Sequence, residues 1–120
     1  MKKVICVFLF LGILSNAFAQ KVNPVMHLLP EGIRVHENVA YAKDTLQKHL
    51  LDIYMPQKTL GKIPVLILIH GGGWIVNDKY ADIGYMGNTI SAILQQGIAV
   101  VSIDYRFATQ ARFPAQIQDC

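Results

Sequence analysis

Pro64, an unbroken apolar run over Val65–Ile69 and the three glycines Gly71, Gly72 and Gly73 constrain this chain more than any other stretch in it. Apolar residues without polar alternation read as a strand buried on both faces, the pattern of an interior strand of a parallel sheet. The run is too short to cross a bilayer, and its β-branched residues work against a helix. In an open parallel sheet, ligands bind beyond the carboxyl ends of the strands, which is where these glycines fall. Lacking a Cβ, they let the backbone turn at positive φ and approach a ligand closely, so that free N–H groups can face a developing negative charge. The glycines alone are equally compatible with a tight turn that has no chemistry. A phosphate-binding loop is a poor competitor, because the chain has no G-x-G-x-x-G and no Gly-Lys-Ser/Thr after the glycines.

The flanking residues supply the rest of an α/β fold. Residues 21–32 contain Pro24 and Pro30 and read as an irregular lead-in. Residues 33–42 alternate loosely, with Val35, Val39 and Tyr41 on one parity, and predict a half-buried strand. Lys43-Asp44 is a turn, and residues 46–55 predict a second strand in which Leu51 and Ile53 oppose Asp52 and Tyr54, ended by Pro56. Such a pair predicts an antiparallel hairpin leading into the parallel sheet. Beyond the glycines, Asn77-Asp78-Lys79 closes a turn. Ile83, Met86, Ile90, Ile93 and Leu94 then recur at helical spacing, with Gly97 where a helix-ending glycine belongs. Gly84 and Gly87 disfavour a helix, so a regular one is expected only over residues 88–96. Residues 98–104 read as the next buried strand, making 65–103 a right-handed strand–helix–strand crossover. Pro114 opens a further helix.

His70-Gly71-Gly72-Gly73-Trp74 resembles the oxyanion-hole loop that follows the third strand of α/β-hydrolase esterases and lipases. Leu51-Asp52-Ile53-Tyr54-Met55-Pro56 and Asp104-Tyr105-Arg106 are similar to segments of the same family, which includes acetyl- and feruloyl-esterase-like and hormone-sensitive-lipase-like carboxylesterases. The resemblance implies that residues 20–120 are a partial α/β-hydrolase domain, the N-terminal portion of its sheet, truncated before the nucleophile elbow. It implies that the N–H groups of Gly72 and Gly73 form the oxyanion hole. His70, Gly71 and Trp74 would support the loop, His70 through hydrogen bonds rather than as general base, and Trp74 as a wall near the acyl pocket or as plain packing. Asp104 would brace the sheet near the loop. No cofactor and no metal is implied, and the substrate class is a small-molecule or carbohydrate-linked ester.

The remaining catalytic groups do not stand in these residues. G-x-S-x-G is absent, and Ser15, Ser91 and Ser102 lack the flanking glycines of a nucleophile elbow. In this fold the acid and the histidine follow the serine in chain order, so the whole triad is expected beyond Cys120. His27, His36 and His49 match no metal-ligand spacing and are expected to be surface or structural. Asp78 and Asp104 make a poor acid–base pair, and Asp119 is expected to be a solvated helix residue. Two functions of different class stand open. One is the N-terminal portion of an exported serine carboxylesterase or lipase-type hydrolase; the other is a non-catalytic remnant or small interaction module that keeps the glycine loop as scaffold.

Lys2-Lys3, an apolar stretch over residues 4–14 and Ala17-Phe18-Ala19 predict a secretory signal peptide, residues 1–19, with export to the periplasm or beyond and no stable membrane span once it is removed. Without Lys2 and Lys3, the 11 basic residues become 9 against 8 acidic ones. So even a balance gives no electrostatic case for nucleic acid. Loss of Cys6 would leave Cys120 without an internal disulfide partner. The content of 52% hydrophobic and 16% charged residues is that of a folded domain rather than a disordered tail.

Overall fold

Among the described residues four strands form one mixed sheet: β1 (Arg34–Ala40), β2 (Leu50–Met55), β3 (Val65–Ile69) and β4 (Ala99–Ile103). Two helices stand beside them there, α1 (Ala81–Gln95) between β3 and β4, and α2 (Ala115–Asp119) after β4. Single 3-10 turns stand at Met26–Leu28 and Gln47–His49. The structure is a computed structural model and describes residues 22–120; the signal peptide read in residues 1–19 lies outside them.

The spatial order is β1-β2-β4-β3. The hairpin β1/β2 is antiparallel, with a register shift between His36 and Val39 where Asn38 takes a left-handed φ of 54°. β4 then inserts between β2 and β3, antiparallel to the first and parallel to the second. The parallel pair joined by α1 is the α/β unit expected from residues 65–103.

β3 departs from expectation. Among the described residues it pairs only with β4 and forms the edge of the sheet, with Val65 and Ile67 more than half exposed at 56% and 58%. Its hydropathy is that of an interior strand, but one of its edges has no partner, and its N–H and C=O groups there are unpaired.

The core lies on one face of the sheet. Ile83, Ile90 and Leu94 of α1 pack with Tyr54, Val100, Val25 and Leu29. Each aliphatic side chain of that set contributes about 1.5–3 kcal/mol by leaving water. This packing carries α1 back to Ala81, about two turns before the expected start, with a break at Met86 (φ −117°, ψ 27°) as its trace of the glycine pair. Gly87 is a contact rather than a weakness, since a Cβ there would lie 3.0 Å from Leu28 Cβ. Gly97 (φ 83°) ends the helix in a Schellman motif, with its own N–H on Leu94 O and that of Ile98 on Ile93 O.

The buried parity of β2 is the polar one. Asp52 and Tyr54 are fully buried, while Leu51 and Ile53 are half-buried on the other face. Hydropathy alternation points the wrong way here, because the polar side chains find partners inside.

Candidate functional site

β3 and β4 run parallel, so both carboxyl ends open on the same side, and the segment 70–79 leaves β3 there. Gly72 (φ 123°), Gly73 (φ 59°) and Trp74 (φ 62°) take consecutive left-handed conformations, and Asn77 (φ 76°) takes another. For tryptophan this backbone is an outlier, held by its surroundings. The Gly72 carbonyl accepts from Ile75 N–H (3.1 Å) and Val76 N–H (3.3 Å), and the Trp74 carbonyl accepts from Ala108 N–H (2.8 Å). The N–H groups of Gly72 and Gly73 have no acceptor among the described residues. Two adjacent donors without an acceptor among the described residues thus stand at the carboxyl end of a parallel strand.

His70 is buried at the root of the loop. Its Nδ1 lies 2.8 Å from the Gly71 carbonyl, which only accepts, so Nδ1 carries the proton. The ring stacks on Tyr105 at 4.4 Å between centroids, and the Tyr105 hydroxyl donates to the His70 carbonyl at 2.7 Å. Burial raises the Tyr105 phenol above its ordinary pKa and keeps it a donor. Asn77 Nδ2 donates to the Gly71 carbonyl from the far side of the loop (3.2 Å).

One carboxylate oxygen, Asp104 Oδ1, gathers both ends of the segment. It accepts from Lys79 N–H (3.1 Å) and from Lys48 Nζ (3.2 Å), and His70 Nε2 stands 3.6 Å away, outside hydrogen-bonding distance. Lys79 is buried and sends its ammonium inward to Asp52 Oδ1 (2.5 Å) and Asn38 Oδ1 (2.7 Å). Asp52 also accepts from Asn38 N–H (2.7 Å), and Ser102 Oγ donates to the Lys79 carbonyl (2.6 Å). The turn read as Asn77-Asp78-Lys79 is therefore closed by a buried ion pair between Lys79 and Asp52. Asp78 itself is exposed and caps Tyr80 N–H at 2.9 Å.

Asp119 is a second point at which structure and sequence differ. It is buried, not solvated, and it receives Arg106 Nε (2.8 Å), Arg106 NH2 (2.7 Å) and Arg106 N–H (3.0 Å). Burial pushes the Asp119 carboxyl up, but the Arg106 hydrogen bonds and charge outweigh it and leave the pKa below the ordinary value. His49 is structural, buried between Asp44 (Nδ1 to Oδ2, 2.6 Å) and Asp119 (Nε2 to Oδ1, 3.3 Å, not aligned as a hydrogen bond). His27 and His36 are exposed. Among the described residues no cluster of three or more His, Cys, Asp or Glu could hold a metal ion. Ser91 and Ser102 each spend their hydroxyl on a backbone carbonyl, Leu28 O at 2.8 Å and Lys79 O at 2.6 Å, and neither lies in the loop.

Trp74 is 41% exposed and outside the core, stacked on Phe113 at 6.0 Å with 18° between the rings. A concavity of about 90 Å³ opens beside it, lined by Ile69, Trp74, Tyr105, Gln116, Ile117 and the free Cys120. Wider depressions at Pro56 and Lys58 lie at the other end of the sheet, away from the free donors.

A β1-β2-β4-β3 sheet with this loop beyond β3 defines the front of an α/β-hydrolase esterase. The chain belongs to the BD-FAE family, whose model matches residues 51–120. It is 36% identical over 108 residues to the carboxylesterase NlhH of Mycobacterium tuberculosis, covering 88% of this chain and 31% of that protein. Among solved structures it resembles esterase B of Lactobacillus rhamnosis (TM-score 0.63, 30% identity, 76% of this chain and 28% of that one). It also resembles a bifunctional GH43-CE protein of Bacteroides eggerthii (TM-score 0.63, 41% identity, 71% of this chain and 11% of that one). The chain thus spans less than a third of the length of these relatives.

Proposed function

We propose that residues 20–120 are the N-terminal portion of an exported serine carboxylesterase and supply its oxyanion hole, Gly72 N–H and Gly73 N–H. The observation that carries this reading is the pair of unpartnered amides at the carboxyl end of β3, within a chain of an esterase family. An ester carbonyl placed over them would gain two hydrogen bonds as its oxygen becomes negative on nucleophilic attack. His70 orients the loop through Nδ1 and its stack on Tyr105, and Trp74 walls the acyl side. The nucleophile, base and acid are assigned to residues that follow Cys120, with the nucleophile strand laid along the open edge of β3. The substrate is a small-molecule or carbohydrate-linked ester; the resemblance to a GH43-CE protein supports the second.

The test compares two polypeptides in p-nitrophenyl acetate hydrolysis. Residues 20–120 alone are expected to show no turnover sensitive to a serine-directed phosphonate. A polypeptide continued through a G-x-S-x-G elbow, an acid and a histidine is expected to show it. Phosphonate-sensitive turnover from the short chain, or none from the long one, overturns the reading.

A further inference from the structure

Lys48 belongs to no motif of the sequence and stands before β2, twenty-two residues ahead of the loop. Because β2 is antiparallel to β4, its amino end lies beside the carboxyl end of β4, next to the loop. There the Lys48 ammonium meets three groups at once: Asn77 O at 3.1 Å, Asp104 Oδ1 at 3.2 Å and the Phe107 ring at 4.0 Å from its centroid. Asn77 is the outgoing, left-handed corner of the loop, and Asp104 is the carboxylate that ties Lys79 beside His70. The Lys48 backbone is held to the same place. The Tyr41 hydroxyl lies 3.0 Å from Lys48 O and 2.8 Å from Asp104 O. The side chain is largely buried, 18% exposed, so this cation is not an ordinary surface ion pair.

We infer that Lys48 is a positioning residue of the oxyanion loop: its ammonium clamps the Asn77 corner to Asp104 and thereby fixes where the Gly72 and Gly73 amides point. The geometry favours this over a role in stability alone, because Asn77 Nδ2 in turn holds the Gly71 carbonyl, so the clamp reaches the peptide that precedes Gly72. A neutral side chain at position 48 would leave Asn77 O and one oxygen of Asp104 short of a charged donor. Phe107 and Tyr41 would still pack, so the sheet would keep its core while the loop lost its corner.

The inference rests on the ester-hydrolase reading for its kinetic arm and on the loop alone for its second arm. In the full-length polypeptide, Lys48→Met is expected to lower kcat for p-nitrophenyl acetate about tenfold, the worth of one charge-assisted hydrogen bond, with KM unchanged within about twofold. Lys48→Arg, which keeps a donor cation, is expected to recover most of the loss. In the same Lys48→Met protein, exchange of the Ile75 and Val76 amides, both bonded to Gly72 O, should quicken about tenfold, while the β4 amides of Val100 and Val101 stay protected. If the wild-type enzyme is inactive but those loop amides respond, the esterase reading falls and the clamp stands. Loop amides that exchange as in wild type, or β4 amides that quicken equally, overturn the clamp whatever the kinetics.

Discussion

Alanine at Gly72 and alanine at Gly73 are expected to behave very differently, although both residues carry a proposed oxyanion donor. A Cβ built on Gly72 (φ 123°) would lie 2.3 Å from the Val76 carbonyl oxygen and 3.0 Å from the Val76 carbonyl carbon. Backbone would have to retreat by at least 0.7 Å merely to bring the 2.3 Å contact to 3.0 Å. The turn that closes over Gly72 is tied by Ile75 and Val76 N–H on Gly72 O, so the retreat breaks those bonds, each worth about 1 kcal/mol. The Gly72 amide then no longer points where the oxyanion forms, and loss of one such donor costs about 10²–10³ in kcat. At Gly73 (φ 59°) the added Cβ meets nothing within 4 Å, and the cost is the intrinsic one of a left-handed alanine, about 1–2 kcal/mol of stability. Its turnover should stay within about tenfold of wild type, since its amide keeps its direction. Saturation kinetics with p-nitrophenyl acetate on a polypeptide carrying the complete triad decides the matter. Equal losses at the two positions, or a Gly72→Ala enzyme within tenfold of wild type, would refute the steric argument.

Three further outcomes follow from the buried charges and the open strand. Lys79→Met strands the fully buried Asp52 carboxylate and should cost about 3–5 kcal/mol, most of it recovered when Asp52→Leu is added; calorimetric melts showing a single-mutant loss below about 1 kcal/mol would contradict this. Because the Asp119 pKa is depressed in the folded chain, its pairing with Arg106 stabilises fully above the ordinary carboxylate value of about 3.9 and fades as pH falls through the lowered one. Amide exchange in α2 should therefore quicken only in acid below about pH 4, a step that Asp119→Asn should abolish; a transition near neutrality in wild type would be inconsistent with that sign. Residues 20–120 expressed alone should self-associate through the β3 edge, and Ile67→Lys, at a position 58% exposed, should shift sedimentation toward monomer; an unchanged profile would place the sticky surface elsewhere.

What the sequence revealed about this fold follows from what hydropathy reports. Apolar runs and punctuation placed β3, β4 and the hairpin within a few residues, because β-branched apolar runs bounded by proline and glycine form strands whether buried, as Ala99–Ile103 is, or exposed at an edge, as Val65–Ile69 is. Spatial order was less accessible. Nothing local in residues 98–104 says that this strand inserts between β2 and β3, a choice that depends on the α1 crossover. The β2 parity was misleading for a physical reason: Asp52 and Tyr54 face inward because Asn23, Asn38 and Lys79 come to meet them from distant parts of the chain. Asp119 reads as solvated for the same reason, its partner Arg106 being thirteen residues away in the segment between β4 and α2.

The candidate site shows the same division more sharply. Its glycines and His70 form a contiguous motif, but the groups that hold the motif in shape are scattered single residues, Tyr41, Lys48, Asp52, Lys79 and Asp104, with no spacing to announce them. Apolar packing could not do their work here. The segment 70–79 runs over the end of the sheet, where Trp74, Ile75 and Val76 are about half exposed, and on the proposed reading its peptide groups must stay accessible to a substrate. An exposed loop with four left-handed residues pays conformational strain that burial does not return. Directional bonds at its two ends can offset that strain without covering its middle: the Tyr105 hydroxyl donates to the His70 carbonyl at one end, and Lys79 makes charge-assisted bonds to Asp104 and Asp52 at the other. The arrangement leaves the Gly72 and Gly73 amides in a tied loop and without an acceptor among the described residues, the two conditions that the proposed oxyanion donors have to meet together.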